Sequence, residues 1–274
     1  MNRQIDLEPD GAEVIPCLNE VGSVGKSSTV HAIASILAEQ GKSVLLADAD
    51  AQANLTEHLG IESPKWTTGD VMMGRVSAGD AAIESNLANV WVIPAAKSLT
   101  ADIELMRGKL GIEQQMRRAL HQLRSEVDVM LIDCPGTLNV MGIAALIAAR
   151  SRFSGGTAWA LTCSQPTMKE IKGVPELEGT IHQVVEAYNP ELELGAIVPC
   201  IVADKNQGLL YQESVDLLRA TYGDLVTPTV RRSVKVPEAY SRQIPLIVHA
   251  PTEPVSQDYR DVVANLQDRS ILPK

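Results

Sequence analysis

Glu20-Val21-Gly22-Ser23-Val24-Gly25-Lys26-Ser27-Ser28 is the stretch on which the reading of the whole chain turns. Before it runs Val14-Ile15-Pro16-Cys17-Leu18, a short apolar run that reads as a buried strand. After it, His31-Ala32-Ile33-Ala34-Ser35-Ile36-Leu37-Ala38 reads as a helix. A strand, a glycine-bearing turn, Gly-Lys-Ser and a helix form the setting in which a backbone cradle holds phosphate. The N–H groups of the turn and of the first helical turn point at the anion. Lys26 is then placed for the β and γ phosphates, and the Ser27 hydroxyl for Mg²⁺. The loop departs from the usual pattern at its start, where Glu20 stands in place of a glycine.

Working outward, the chain alternates short apolar runs with helical spacing. The spacing predicts strands at 13–19, 43–48, 89–94, 127–133, 157–163, 194–202 and 225–230, and a further short one at 245–248. Helices are expected up to Glu39-Gln40 with Gly41 as C-cap, at 54–59 with Gly60 as stop, and at 112–123. Others are expected at 144–149, at 168–188 with a break around Gly173-Val174-Pro175, at 209–222, and at 258–266. The last of these turns Tyr259, Val262, Val263 and Leu266 inward. Arg117, Arg118 and Arg124 read as a solvated basic face of the 112–123 helix. The fold class is therefore α/β, a mostly parallel twisted sheet with helices on both faces. Residues 1–12 read as a flexible lead-in and 13–274 as one domain, since no linker or repeat divides the chain.

Composition narrows the function. The 45% hydrophobic content supplies a core without disulfides. The cysteines at 17, 134, 163 and 200 make no C-x-x-C pair, so they read as buried thiols in a reducing cytosol rather than metal ligands. No apolar run reaches the ~18 residues that a membrane helix needs, and the polar start is not a signal peptide. A net charge of −10 argues against broad nucleic-acid affinity, although a local basic patch is compatible with it. Aromatics at 3% leave little for base-stacking platforms.

In an open parallel sheet the ligand sits at the carboxyl ends of the strands. Besides the glycine turn, Asp48-Ala49-Asp50 and Asp133-Cys134-Pro135-Gly136 end strands in that place. Asp133 suits the metal side, because Mg²⁺ takes few carboxylates and keeps waters. Asp50, beyond its strand's last apolar residues, suits the water that attacks in line. Either acid alone would read as a helix cap or turn former.

Four motifs in order then carry a resemblance. Val21 to Ser28 resembles K-G-G-V-G-K-[TS]-[TS], and Asp48-Ala49-Asp50-Ala51-Gln52-Ala53-Asn54-Leu55-Thr56 resembles D-x-D-P-Q-x-N-L-T. Leu131 to Gly136 resembles L-I-D-C-P-P, and Thr229 to Ala239 resembles I-P-R-S-V-R-L-x-E-A. Together they span about residues 13 to 268 and are similar to the ParA/MinD superfamily of deviant-loop ATPases, above all to short ParA partition proteins. That resemblance implies ATP and Mg²⁺ as cofactors and a homodimer in the ATP state. It also implies sequence-independent DNA binding over the nucleoid and an adaptor, of the centromere-binding type, that stimulates hydrolysis and releases the protein. The cargo so moved would be a plasmid, a chromosome or a protein microcompartment. The nucleotide would meet Val21, Gly22, Ser23, Val24, Gly25, Lys26, Ser27 and Ser28. Lys26 and Asp50 would be catalytic, Ser27 and Asp133 would serve the metal, and Lys205, Arg231, Arg232 and Lys235 would meet DNA.

The chain departs from the family at several of these positions. The loop lysine that crosses the dimer in the family is Val21 here, Ser23 replaces a glycine, and Ala51 and Gly136 replace prolines. Lys169 is the expected substitute cation, with Arg152 behind it. A lysine-less loop also resembles the carboxysome-spacing relatives. Two other readings remain: a MinD-like membrane positioner, which the short mixed-charge tail ending Pro273-Lys274 does not favour, and a nucleotide switch with little hydrolysis. An iron–sulfur relative would need paired cysteines at a dimer axis, which the chain does not carry.

Overall fold

The computed structural model describes residues 9–19, 24–203 and 209–274, without the side chains of 168–172, 209 and 210. Val21, Gly22, Ser23 and Lys205 lie outside the described residues, as does the side chain of Lys169.

β1 (Glu13–Leu18) is buried throughout and stands inside the sheet. It pairs in parallel with β5 (Val129–Asp133) on one side and β6 (Ala158–Ser164) on the other. β2 (Val44–Asp48) pairs with β5 and with β4 (Val90–Ile93), and β7 (Leu192–Pro199) closes the far side against β6. The short β3 (Ile83–Glu84) runs antiparallel to β4 at the other edge. The order is β3-β4-β2-β5-β1-β6-β7. Successive strands leave β1 in both directions, so the crevice for a ligand falls at its carboxyl end.

Alternate residues of each strand feed two cores. Ile15, Cys17, Leu46, Leu131 and Val198 pack under α1 (Lys26–Glu39) and, from the end of the chain, α12 (Pro254–Asp268). Val14, Leu45, Met130 and Ile132 pack on the opposite face, under α6 (Gln115–His121), α7 (Val140–Ala148) and α8 (Met168–Ala187). The inward residues expected of the last helix, Tyr259, Val262, Val263 and Leu266, are all buried.

Four local expectations change, each for a physical reason. The helix from Met168 is unbroken although Pro175 lies inside it. Burial of Val174, Leu177 and Ile181 offsets the roughly 3 kcal/mol that an interior proline costs. Residues 225–230 do not form a strand; the isolated bridge Ile197–Val226 and a Val230 N–H to Pro199 carbonyl bond of 2.8 Å join that segment to the sheet. Pro228, lacking an N–H, cannot continue a ladder. Leu246–His249 is a four-residue helix, not a strand: adjacent Leu246 and Ile247 are buried while Val248 is exposed, and Pro245 starts it. Arg124 is not on a solvated face. It is buried and donates to the carbonyls of Ala12 and Ser151 at 3.2 and 2.7 Å and to Asp10 at 3.1 Å. Asp10 to Ala12 are thereby pinned to the domain rather than loose.

Glu13, at the start of β1, is a buried carboxyl whose Oε1 meets no donor among the described residues. Burial pushes its pKa from 4.5 to about 7, only partly countered by Arg152, whose backbone N–H donates to Oε2. The folded state therefore holds a proton that the unfolded chain gives up, and stability falls as pH rises between those values. The gap corresponds to roughly 3 kcal/mol. Glu13→Gln cannot ionise. Relative to the parent, the variant should gain about that much between pH 4.5 and 7.5 in denaturant titrations; parallel pH curves would refute the assignment.

Candidate functional site

α1 begins at Lys26, directly after Gly25, and no side chain caps it. Its first N–H groups meet no capping side chain among the described residues, which suits an anion. Gly25 has φ +95°, a conformation that glycine takes freely, and an added Cβ would sit 3.4 Å from the Cys200 Cβ. The turn is thus tight against the end of β7. Lys26 is only 6% exposed.

Lys26, Ser27 and Asp50 face one open cavity of 860 Å³ at the carboxyl ends of the strands, with Val24, Gly25 and Ser28. Its other walls come from Pro135 to Asn139 after β5, from Ile201, and from α5 (Leu99–Met106) with Arg107 just beyond it. Asp133 lies beside this cavity's floor, buried, and its carboxylate oxygens meet no donor at bonding geometry among the described residues. Burial and then the charge of neighbouring Asp48 hold its pKa well above the ordinary carboxylate value, while the nearby Ser27 hydroxyl and Lys26 favour the charged form. A buried acid without a donor, next to a serine hydroxyl, is the donor set a hard divalent cation completes.

The two acids that end β2 divide their work. Asp48 is fully buried and accepts from the Thr56 N–H at 2.9 Å and hydroxyl at 2.7 Å, and from the Asp50 N–H at 3.1 Å. It ties the strand to α2 (Asn54–His58), and burial raises its pKa to about 6. Asp50 reaches the cavity and accepts only from the Gln52 N–H, at 2.9 Å, among the described hydrogen bonds.

Strain gathers at the rim. Ala53, which precedes α2, has φ +56°, and Ile201, on the cavity wall, has φ +57°. Left-handed backbone in a β-branched residue costs of order 1–3 kcal/mol.

Of the two expected substitute cations, Arg152 is at the wrong end of the sheet. Its N–H bonds Glu13 and its guanidinium lies 4.8 Å from the Phe153 ring, while the loop follows the opposite end of β1. Lys169 falls in the first turn of α8, with its side chain outside the described residues. Arg231 lies on the surface but is held by Asp258 in a forked pair at 2.6 and 2.8 Å. Lys235 opens α10 (Lys235–Ser241) and pairs with Glu238 at 2.9 Å, and Arg232 is exposed.

Sequence reasoning missed α5 and with it Arg107, Glu104 and Thr100 on the cavity wall. The apolar spacing of Leu99, Ile103 and Met106 was the available signal. It also missed His58, which lines the cavity and packs its ring 4.0 Å from Tyr240 of α10. Burial pushes the His58 pKa down to about 3.

A parallel sheet with an uncapped, lysine-bearing helix start and two strand-end aspartates defines a phosphate-loop nucleotide-binding protein. The comparisons narrow this class. The AAA domain family model AAA_31 matches residues 12–194. The chromosome partitioning protein ParA of Caulobacter vibrioides is 34% identical over 266 residues, covering 93% of this chain and 96% of that protein. In structure, apo McdA of Cyanothece matches with TM-score 0.82 at 19% identity, over 93% of this chain and 99% of that one. Cobyrinic acid a,c-diamide synthase of Mycobacterium smegmatis, solved with an ATP analogue and magnesium, matches with TM-score 0.78 at 24% identity, over 94% and 96%. The chain belongs to the ParA/MinD superfamily, among the ParA-type partition proteins. No described helix is long and apolar enough to cross a membrane.

Proposed function

We propose that the chain binds ATP with Mg²⁺, hydrolyses it slowly, and uses the cycle to position a cargo along DNA. The observation that carries this is one cavity lined by an uncapped helix start with Lys26, Ser27 and Asp50, beside which Asp133 is buried with no donor at bonding geometry among the described residues. Lys26 and the first N–H groups of α1 hold the triphosphate, and Ser27 and Asp133 would hold the metal. Bound there, Mg²⁺ would supply charge neutralisation of the phosphate oxygens. Asp50, which reaches solvent in the cavity, orients the attacking water and withdraws its proton. Asp48 keeps Asp50 in place through its bond to the Asp50 N–H.

Membership of a partition family supports the further reading that the ATP form is a homodimer which binds DNA without sequence preference, in the cytoplasm over the nucleoid, and meets an adaptor that triggers turnover. Arg232, exposed, and Lys235, half-buried and paired with Glu238, are the cations offered to phosphate, with the paired Arg231 beside them and Lys205 earlier in the chain. The acidic total confines any contact to such a patch. Each phosphate contact adds about 0.9 to the salt slope.

A gel shift on arbitrary duplex DNA tests the cycle. The parent should shift only with ATP and Mg²⁺. Asp50→Ala should lose phosphate release by about two orders of magnitude yet shift DNA as well or better, because the ATP state persists. Lys235→Glu should weaken the shift and flatten its salt dependence. A shift indifferent to nucleotide, or unchanged in Lys235→Glu, would remove the DNA reading; full turnover in Asp50→Ala would remove the catalytic one.

A further inference from the structure

At the other end of β1 from the phosphate loop lies a second cavity, of 360 Å³, between α6 and the end of α7. Its floor is apolar: Val14, Leu120 and Ala148. Its walls carry Arg117, Arg118, Arg124 and Arg150, and no acidic residue lines it. We propose that this cavity is a second anion site, shaped for a small phosphorylated metabolite whose phosphate monoester meets Arg117, Arg118 and Arg150 while its carbon skeleton rests on the apolar floor.

The charge pattern is the first argument. Acidic residues outnumber Lys and Arg by 34 to 24 in the whole chain, yet four arginines and no acidic residue line this cavity. Arg124 is already engaged by two carbonyls and Asp10, so it acts as a wall. Arg117, Arg118 and Arg150 enter no ion pair among the described residues. The single described contact of Arg117 is a 3.4 Å bond to the Tyr188 carbonyl.

Position is the second argument. Arg150 is fixed by its backbone, which exchanges hydrogen bonds with Val14 at 2.8 and 3.0 Å. Partial burial of Arg117, and then the neighbouring charge of Arg150, lower the Arg117 pKa; Glu191 offsets this only in part. Two cations that repel each other over an apolar floor favour a compact dianion between them. The carboxyl end of α6 accounts for Arg118 and His121, since helix C-termini favour cations. It does not account for Arg117 and Arg150 lining the same cavity. A guanidinium matches phosphate oxygens in a forked geometry, and the volume is that of a small-molecule site.

This inference does not rest on the proposed ATPase cycle. Phenyl phosphate is the probe, titrated calorimetrically into the full chain, with benzoate and inorganic phosphate as controls for ring and charge. The parent should bind phenyl phosphate more tightly than either control. Lys26→Ala, which disables the phosphate loop, should bind it equally well. Arg117→Gln/Arg150→Gln should bind it about tenfold or more weakly, with the melting temperature and the protection by ATP unchanged. Should the double variant melt early, Arg118→Gln, at an exposed position, makes the same comparison with a several-fold loss. Binding lost in Lys26→Ala, binding retained in the arginine variants, or no heat in the parent would each overturn the proposal.

Discussion

Lys26→Ala should leave the protein folded and abolish its protection by ATP. The side chain is buried at the first residue of α1, and no ion pair of the described residues includes it. No described ion pair or hydrogen bond depends on it, so the free protein should lose little stability. The nucleotide loses far more. A hydrogen bond to a charged group is worth about 1.5–3 kcal/mol, and a lysine that reaches two phosphates makes at least two. Affinity should fall by roughly two orders of magnitude or more. At a hundred times the parent's Kd, ATP with Mg²⁺ should stabilise the parent by about 2.7 kcal/mol, a rise in melting temperature of several degrees. The variant should show almost none of that rise. Equal protection in both would place the nucleotide elsewhere and undo the assignment of the cavity.

Asp133→Asn should have the opposite effect on the free protein. The carboxyl group is buried with no donor at bonding geometry among the described residues, and its pKa is raised by burial and by Asp48. The folded state thus retains a proton that the unfolded chain releases near pH 4. Above that pH the group costs stability, and the cost grows as pH rises. The amide needs no proton to be buried neutral, so Asp133→Asn should raise the stability of the free protein at pH 8 by about 1–3 kcal/mol and by little at pH 4. It should also remove the extra protection that Mg²⁺ adds to nucleotide. Chemical denaturation at the two pH values, with and without Mg²⁺ and ATP, reads both effects. A variant less stable than the parent at pH 8, or one still responsive to Mg²⁺, would show that Asp133 is a structural partner instead.

Much of this site was legible in the chain because its parts are local in sequence. Gly25-Lys26-Ser27 follows a run that can only be a buried strand, and Asp50 and Asp133 end two more such runs. Fold class followed from the same alternation. What escaped was tertiary. Pro175 argued for a helix break, and the packing of Val174 and Leu177 overrode it. Arg124 looked like one more surface cation, and its bonds to Ala12 and Ser151 come from segments remote in sequence. Thr56 fell within a recognised motif, but its hold on the Asp48 carboxylate, and on the Ala95 N–H at 2.9 Å, depends on three elements meeting. Lys169, and behind it Arg152, were the substitute cations the sequence offered. The sheet sends Arg152 to the end away from the loop.

The place of β1 in the sheet also sets when the protein can be assembled. Its neighbours are Val129–Asp133 on one side and, through Cys17–Leu161, the strand that ends at Ser164 on the other. β1 must therefore wait for close to half of the sequence before its first edge is covered, and longer for the second. Contacts so distant in sequence slow folding and prolong exposure to aggregation. The cradle for the triphosphate is then among the last parts of the molecule to take shape, and a nascent chain stalled before residue 164 would present a bare, apolar β edge to whatever chaperone meets it.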